Sequence, residues 1–184
     1  MALTLIKEDG TGRPDANSYA DVTDGDAYHD GHLYASAWTA ATADRKAAAL
    51  VMASRLMDAE FQFNGTRTNA LQGLQWPRAR CPDPDNVQVP FSALLPMPSD
   101  YVRYDSVPKA VLQAACELAR ELLIADRTAA PAGEGLKYQN IGGNQTGYDK
   151  TDTRPIIPAV VQALLAKFAS LIKAKSGAVK LLRV

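Results

Sequence analysis

Two cysteines and two histidines are all that 184 residues provide of the side chains most used for metal binding and nucleophilic catalysis. Cys81 and Cys116 match no metal-ligand spacing and form no disulfide framework, so both are expected as reduced thiols in a cytoplasmic protein. His29 and His32 stand three apart beside Asp26 and Asp30, but no third ligand cluster joins them and Gly31 breaks the helix between them. A solvent-exposed helix terminus is the expectation there. Net charge is missing as well: 20 basic residues balance 20 acidic ones, which excludes a whole-molecule field that would draw the chain onto nucleic acid or an anionic membrane. No apolar run reaches the ~18 to 20 residues that span a bilayer, and Met1-Ala2-Leu3-Thr4-Leu5-Ile6-Lys7 has no leader character, so neither insertion nor secretion is expected.

Chemical motifs are equally scarce. Asp83-Pro84-Asp85-Asn86 lacks the glycine and glutamate that complete a calcium loop. Gly133-Glu134-Gly135 and Gly142-Gly143 lack the strand, glycine turn and helix that make a phosphate cradle. Neither histidine is flanked by a nucleophile signature. No cofactor, no metal and no enzymatic activity are expected.

What is present is the composition of a folded chain, 47% hydrophobic and 22% charged, of a length that fits one domain over 1–184. The pattern predicts a mainly α fold: a small helical bundle with a protruding β-hairpin arm and extended termini. Leu3 to Gly12 reads as an extended piece entering a glycine turn, making residues 1–20 an N-terminal arm or edge strand. Thr23 and Asp26 suggest a capping box for a short helix from about Asp24 to Gly31. Thr42 caps the next helix, which places Ala47, Leu50, Val51, Ser54, Leu56 and Met57 on one side and Arg45, Lys46, Arg55 and Asp58 mostly opposite. The prolines between Glu60 and Asp105 rule out long regular elements, with room for one short helix around Phe91 to Leu95. Ser106 is the expected cap of a central helix carrying Val111, Ala115, Leu118 and Leu122. Within the polar stretch 128–154, Leu136 to Ile141 alternates as a strand, which predicts the hairpin arm. A last helix introduced by Pro155 and Pro158 carries Val161, Leu164, Leu165, Phe168, Leu171 and Ile172 and stops at Gly177.

Several motifs together resemble a family of phage proteins labelled DnaT-like single-stranded DNA-binding proteins, taken here for head-to-tail connectors. They are Glu8-Asp9-Gly10-Thr11-Gly12, Ala16-Asn17-Ser18-Tyr19, Asp26-Ala27-Tyr28, Trp38 to Thr42 with Lys46 to Leu50, the Trp76-Pro77-Arg78 turn after Gln75, and Val107-Pro108-Lys109-Ala110-Val111 continuing to Ala119. The stretch from Cys81 to Asp105 departs from that pattern. The resemblance implies an adaptor subunit of a tailed-phage neck, about twelve copies in a ring, bound to the portal protein and to a tail or tail-completion protein, with DNA passing through its channel. It implies a virion location and neither cofactor nor membrane.

Two surfaces are expected to serve that assembly. From Arg154 onward every charged residue is basic, and the tail 176–184 is both apolar and basic. Lys173, Lys175, Lys180, Leu181, Leu182, Arg183 and Val184 are therefore expected to dock on the portal. Lys137, Tyr138, Asn140, Ile141 and Tyr148 of the hairpin are expected to contact a neighbouring subunit. The rival reading is a single-stranded DNA-binding protein in which Tyr101, Tyr104, Tyr138 and Tyr148, interleaved with Arg103, Lys137 and Lys150, stack bases and meet phosphates. Zero net charge favours the connector, and the tyrosines are expected instead to pack loops against the core with wet hydroxyls.

Overall fold

The structure is a computed structural model that describes residues 3–84, 101–129, 138–141, 144–147 and 155–172. Its first helix, α1 (Val22–Asp30), is capped by Asp21: the Asp21 carboxylate accepts the Asp24 N–H and the Asp24 carboxylate accepts the Asp21 N–H, both at 2.9 Å. The expected box at Thr23 and Asp26 is thus displaced by two residues. Asp competes well as a cap because its short carboxylate reaches an orphan amide without leaving the chain's own turn. A single turn, α2 (Ser36–Thr39), places Trp38 in the core, and α3 (Ala43–Glu60) starts under its expected Thr42 cap.

Beyond α3 come three short strands, β1 (Phe61–Phe63), β2 (Thr66–Arg67) and β3 (Arg78–Ala79), the last two paired antiparallel. No long element interrupts the described part of the proline-rich region, as expected; Phe91 to Leu95 lie outside the described residues.

The central helix α4 (Lys109–Ile124) buries Val111, Ala114, Ala115, Leu118 and Ala119, the spacing of one helical face. It packs most extensively on α3, then on α5 (Ala159–Leu165), and also on α1 and α2. Burying a side chain such as Leu118 stabilises the fold by about 1.5–3 kcal/mol. Pro108 rather than Ser106 holds the N-cap position; the Ser106 hydroxyl turns away and donates to the Arg103 carbonyl at 3.1 Å. A proline already fixed near the helical φ needs no side-chain cap to begin the helix.

The hairpin expected within 128–154 is present as β4 (Tyr138–Ile141) and β5 (Asn144–Gly147), paired antiparallel. The final helix is shorter than its periodicity suggests. It ends at Leu165, and the chain turns into β6 (Ala169–Leu171), which pairs with β1 in the register Phe61↔Leu171 to Phe63↔Ala169. Val161 and Phe168 are buried and Leu164 is half-buried, but Ile172 is 52% exposed, its N–H bound to the Glu60 carbonyl at 2.8 Å. Short apolar runs fit either period, and here the edge of β1 offers backbone partners that a longer helix would leave unsatisfied.

The described part of the expected N-terminal arm lies against the body. Ser18, Tyr19 and Ala20 are fully buried, and Asn17 ties Ile6 and Thr4 to this segment through its carboxamide.

Candidate nucleic-acid interface

The segment entering α4 is held at both ends. At the first end Tyr101 bridges Pro82 and the Val102 N–H donates to the Cys81 carbonyl at 2.8 Å. At the other the N-terminal turn buttresses it. The buried Glu8 carboxylate accepts the N–H groups of Gly10, Gly12 and Arg13 at 2.9, 2.9 and 3.0 Å, coiling the turn around one anion. Gly10, with φ of 99°, then meets the Asp105 carbonyl so closely that any Cβ would overlap it.

Held this way, the segment displays Tyr101, 48% exposed, and Tyr104, 68% exposed, on either side of Arg103. Val102 takes the inward position, while Tyr101 and the run from Arg103 to Asp105 are exposed, so Tyr104 in particular does not pack into the core as expected. The Arg103 guanidinium forks onto Asp105 at 2.9 and 2.7 Å, but both side chains are open to water, where such a pair is weak and yields to a competing phosphate.

Lys109 follows on the first turn of α4, where the positive end of the helix adds to its charge. It makes no ion pair among the described residues and lines two open clefts. One, of about 420 Å³, lies toward α5, with Leu164 and Phe168 on its apolar side and Lys167 as a second cation. The other, of about 490 Å³, lies toward α1 and is lined by Tyr28, His32, Leu112 and Gln113. Asp24 also borders it, but its carboxylate is taken by Lys7 at 2.5 Å.

The histidines do not form the exposed terminus expected of them. His29 is 2% exposed, with Nε2 3.2 Å from the Cys116 carbonyl and its ring stacked near Trp38, and burial lowers its pKa. His32 faces Glu117 at 3.5 Å. Among the described residues no cluster of three metal-ligating side chains exists. Both cysteines are buried and unpaired; burial pushes the Cys116 thiol up to about 12 and raises that of Cys81, which disfavours the thiolate at both.

Trp76, Pro77 and Arg78 are buried and structural. The Trp76-Pro77 peptide is cis, and Trp76 packs edge-on to Phe63 and Phe168. Arg78 donates to the carbonyls of Asn64, Gly65 and Gln75 at 2.7, 2.7 and 3.1 Å. Asp58, placed on the solvent side by helical periodicity, instead points inward, where it accepts the Tyr19 hydroxyl and the Gln75 N–H. Burial pushes its carboxyl up to about 6 and lifts the Tyr19 phenol as well.

Of the hairpin residues, Tyr138, Asn140 and Ile141 lie on β4, while Lys137 and Tyr148 fall outside the described residues. So do Lys173, Lys175, Lys180, Leu181, Leu182, Arg183 and Val184 of the tail.

No curated protein and no solved structure matches the chain. A family model does, over residues 3–184, and its description is "Putative DnaT-like ssDNA binding protein". That match corrects the connector expectation: it is to a single-stranded DNA-binding family and not to a head-to-tail connector family. The portal and the twelve-copy ring followed from the connector reading alone. The match spans nearly the whole chain, and the chain belongs to the DnaT-like single-stranded DNA-binding protein family.

Proposed function

We propose that the protein binds single-stranded DNA, without catalysis, along the surface that opens at the start of α4. The observation that carries this reading is the exposed pair Tyr101 and Tyr104 bracketing Arg103, directly ahead of Lys109 at the positive end of a 16-residue helix. Every base has a π-face, so exposed tyrosines bind a strand with little sequence preference, while cations spaced between them meet the phosphates. Lys167 extends the cationic track across the cleft toward α5. The basic residues beyond it in sequence, Lys173, Lys175, Lys180 and Arg183, prolong the same sign of charge. Zero net charge is no obstacle, because a strand responds to the field within about 10 Å of the groove it occupies rather than to the total.

The test is a titration of a fluorescent single-stranded oligonucleotide at several salt concentrations. Binding should weaken with a log–log slope near −0.7 for each phosphate engaged. Arg103→Ala and Lys167→Ala should each weaken binding uniformly across sequences and flatten that slope. Affinity that is insensitive to salt, or absent even at low salt, refutes the reading.

A further inference from the structure

Along α4, Lys109 and Gln113 stand four residues apart and so share one face of the helix, which borders the cleft toward α1. Lys109 makes no ion pair and the Gln113 carboxamide no hydrogen bond among the described residues. Across the cleft stand two rings, Tyr28 and His32, with centroids 6.5 Å apart and planes tilted by 44°. His32 is fixed at one edge, where Nδ1 accepts the Tyr34 N–H at 3.0 Å, while Nε2 faces Glu117 at 3.5 Å. The cleft between these walls measures about 490 Å³, within the ~300–1,000 Å³ range of small-molecule sites.

We propose that this cleft takes one unstacked base of a bound strand, with the Tyr28 and His32 rings as its aromatic wall, Gln113 reading its polar edge and Lys109 holding its phosphate. The assignment rests on the single-stranded DNA-binding reading and adds to it a second contact surface beside Tyr101 and Tyr104, the cleft toward α1. A carboxamide offers one donor and one acceptor side by side, which pairs with the amine and ring nitrogen of adenine or cytosine and equally with the ring N–H and a carbonyl of thymine, so it reads a base edge without choosing among them.

Two probes of equal length distinguish the outcomes: a short deoxycytidine oligomer and an abasic deoxyribose-phosphate oligomer. The wild-type protein should bind the first at least about tenfold more tightly than the second. Gln113→Ala and Tyr28→Leu, neither at a fully buried position and so expected to fold, should each reduce that ratio severalfold and leave affinity for the abasic oligomer unchanged. If the ratio is the same in both variants as in the wild type, bases are read elsewhere, and the cleft assignment falls while DNA binding stands. If the wild type binds neither oligomer at low salt, the DNA-binding reading falls and takes the cleft assignment with it.

Discussion

The two halves of α4 carry similar polar side chains to different ends. In the C-terminal half every charge is answered: Arg120 donates to Glu117 at 2.6 Å and Glu121 at 2.7 Å, and Arg127, from beyond the helix, meets Glu121 at 2.9 Å and the Ile156 carbonyl at 3.0 Å. In the N-terminal half Lys109 and Gln113 face open clefts unanswered among the described residues. The first arrangement clamps the segment before α5 to the core. The second stabilises nothing in the free chain and gains only when a ligand arrives. Closed and open polar groups on one helix thus separate what holds the fold from what the fold presents.

Breaking the closed half should have the largest consequence. Arg120→Ala strips the buried Glu117 of its guanidinium and leaves it only His32 at 3.5 Å, and breaking a buried pair in this way costs up to about 3–5 kcal/mol. Denaturant unfolding should register that loss. A Glu117→Gln/Arg120→Met double variant should recover most of it, since two well-packed neutral groups cost less than one stranded charge. Full stability in the single variant would mean that the ion chain is ornamental and the contrast between the halves is empty.

A second closed site, away from α4, sharpens the same contrast through pH. The Asp58 carboxyl, raised by burial from 3.8 to about 6, holds its proton in the folded state over a range where the unfolded chain has released it. Its contribution is fully present below about pH 4 and is lost as pH rises through about 6, a change of about 3 kcal/mol. Asp58→Asn keeps an acceptor for the Tyr19 hydroxyl and cannot titrate. The stability of Asp58→Asn minus that of the wild type should therefore climb by about that amount between pH 4 and 7. His29, whose lowered pKa acts in the opposite direction, is common to both proteins and cancels in the difference.

Much of the closed architecture is legible in the sequence. The Thr42 cap, the central stripe of α4 and the hairpin all follow from local spacing, because caps and periodicity act within a few residues. The end of α5 is not legible: whether Phe168 to Ile172 continues a helix or becomes a strand depends on an edge supplied by Phe61–Phe63, more than a hundred residues earlier. The inward turn of Asp58 is hidden for the same reason, since its partners are Tyr19 and Gln75. The interface was half visible. Tyr101, Arg103 and Tyr104 form a stacking-and-phosphate pattern in the bare sequence, but zero net charge argues against it only if charge is averaged over the whole chain. The Tyr28 and His32 wall of the cleft toward α1 has no sequence signal of its own: Gly31 marks a helix end, and nothing local says that His32 folds back against Glu117.

On the open side, Tyr104→Ala should cost about 1–3 kcal/mol in affinity for single-stranded DNA, the usual worth of one base stacked on one ring. Its melting temperature should hardly move, because a ring 68% exposed contributes little to the core. A variant that melts early but binds normally would place Tyr104 with the closed groups.

The smallest effect on stability is expected at Lys109, and the smallness is itself informative. Lys109 opens α4 at its positive end, where a cation is mildly unfavourable, and no carboxylate among the described residues offsets it. Lys109→Ala should therefore shift unfolding free energy by no more than about 0.5 kcal/mol, in either direction. Binding should respond quite differently. Removal of one phosphate contact weakens affinity for every sequence alike and reduces the magnitude of the log–log salt slope by about 0.7. The same residue borders both clefts, so a strand lying toward α5 and a base entered toward α1 lose the same cation. A Lys109→Ala protein with an unchanged salt slope would show that the open half of α4 meets no phosphate, and the division of this helix into a structural half and a binding half would fail at its first residue.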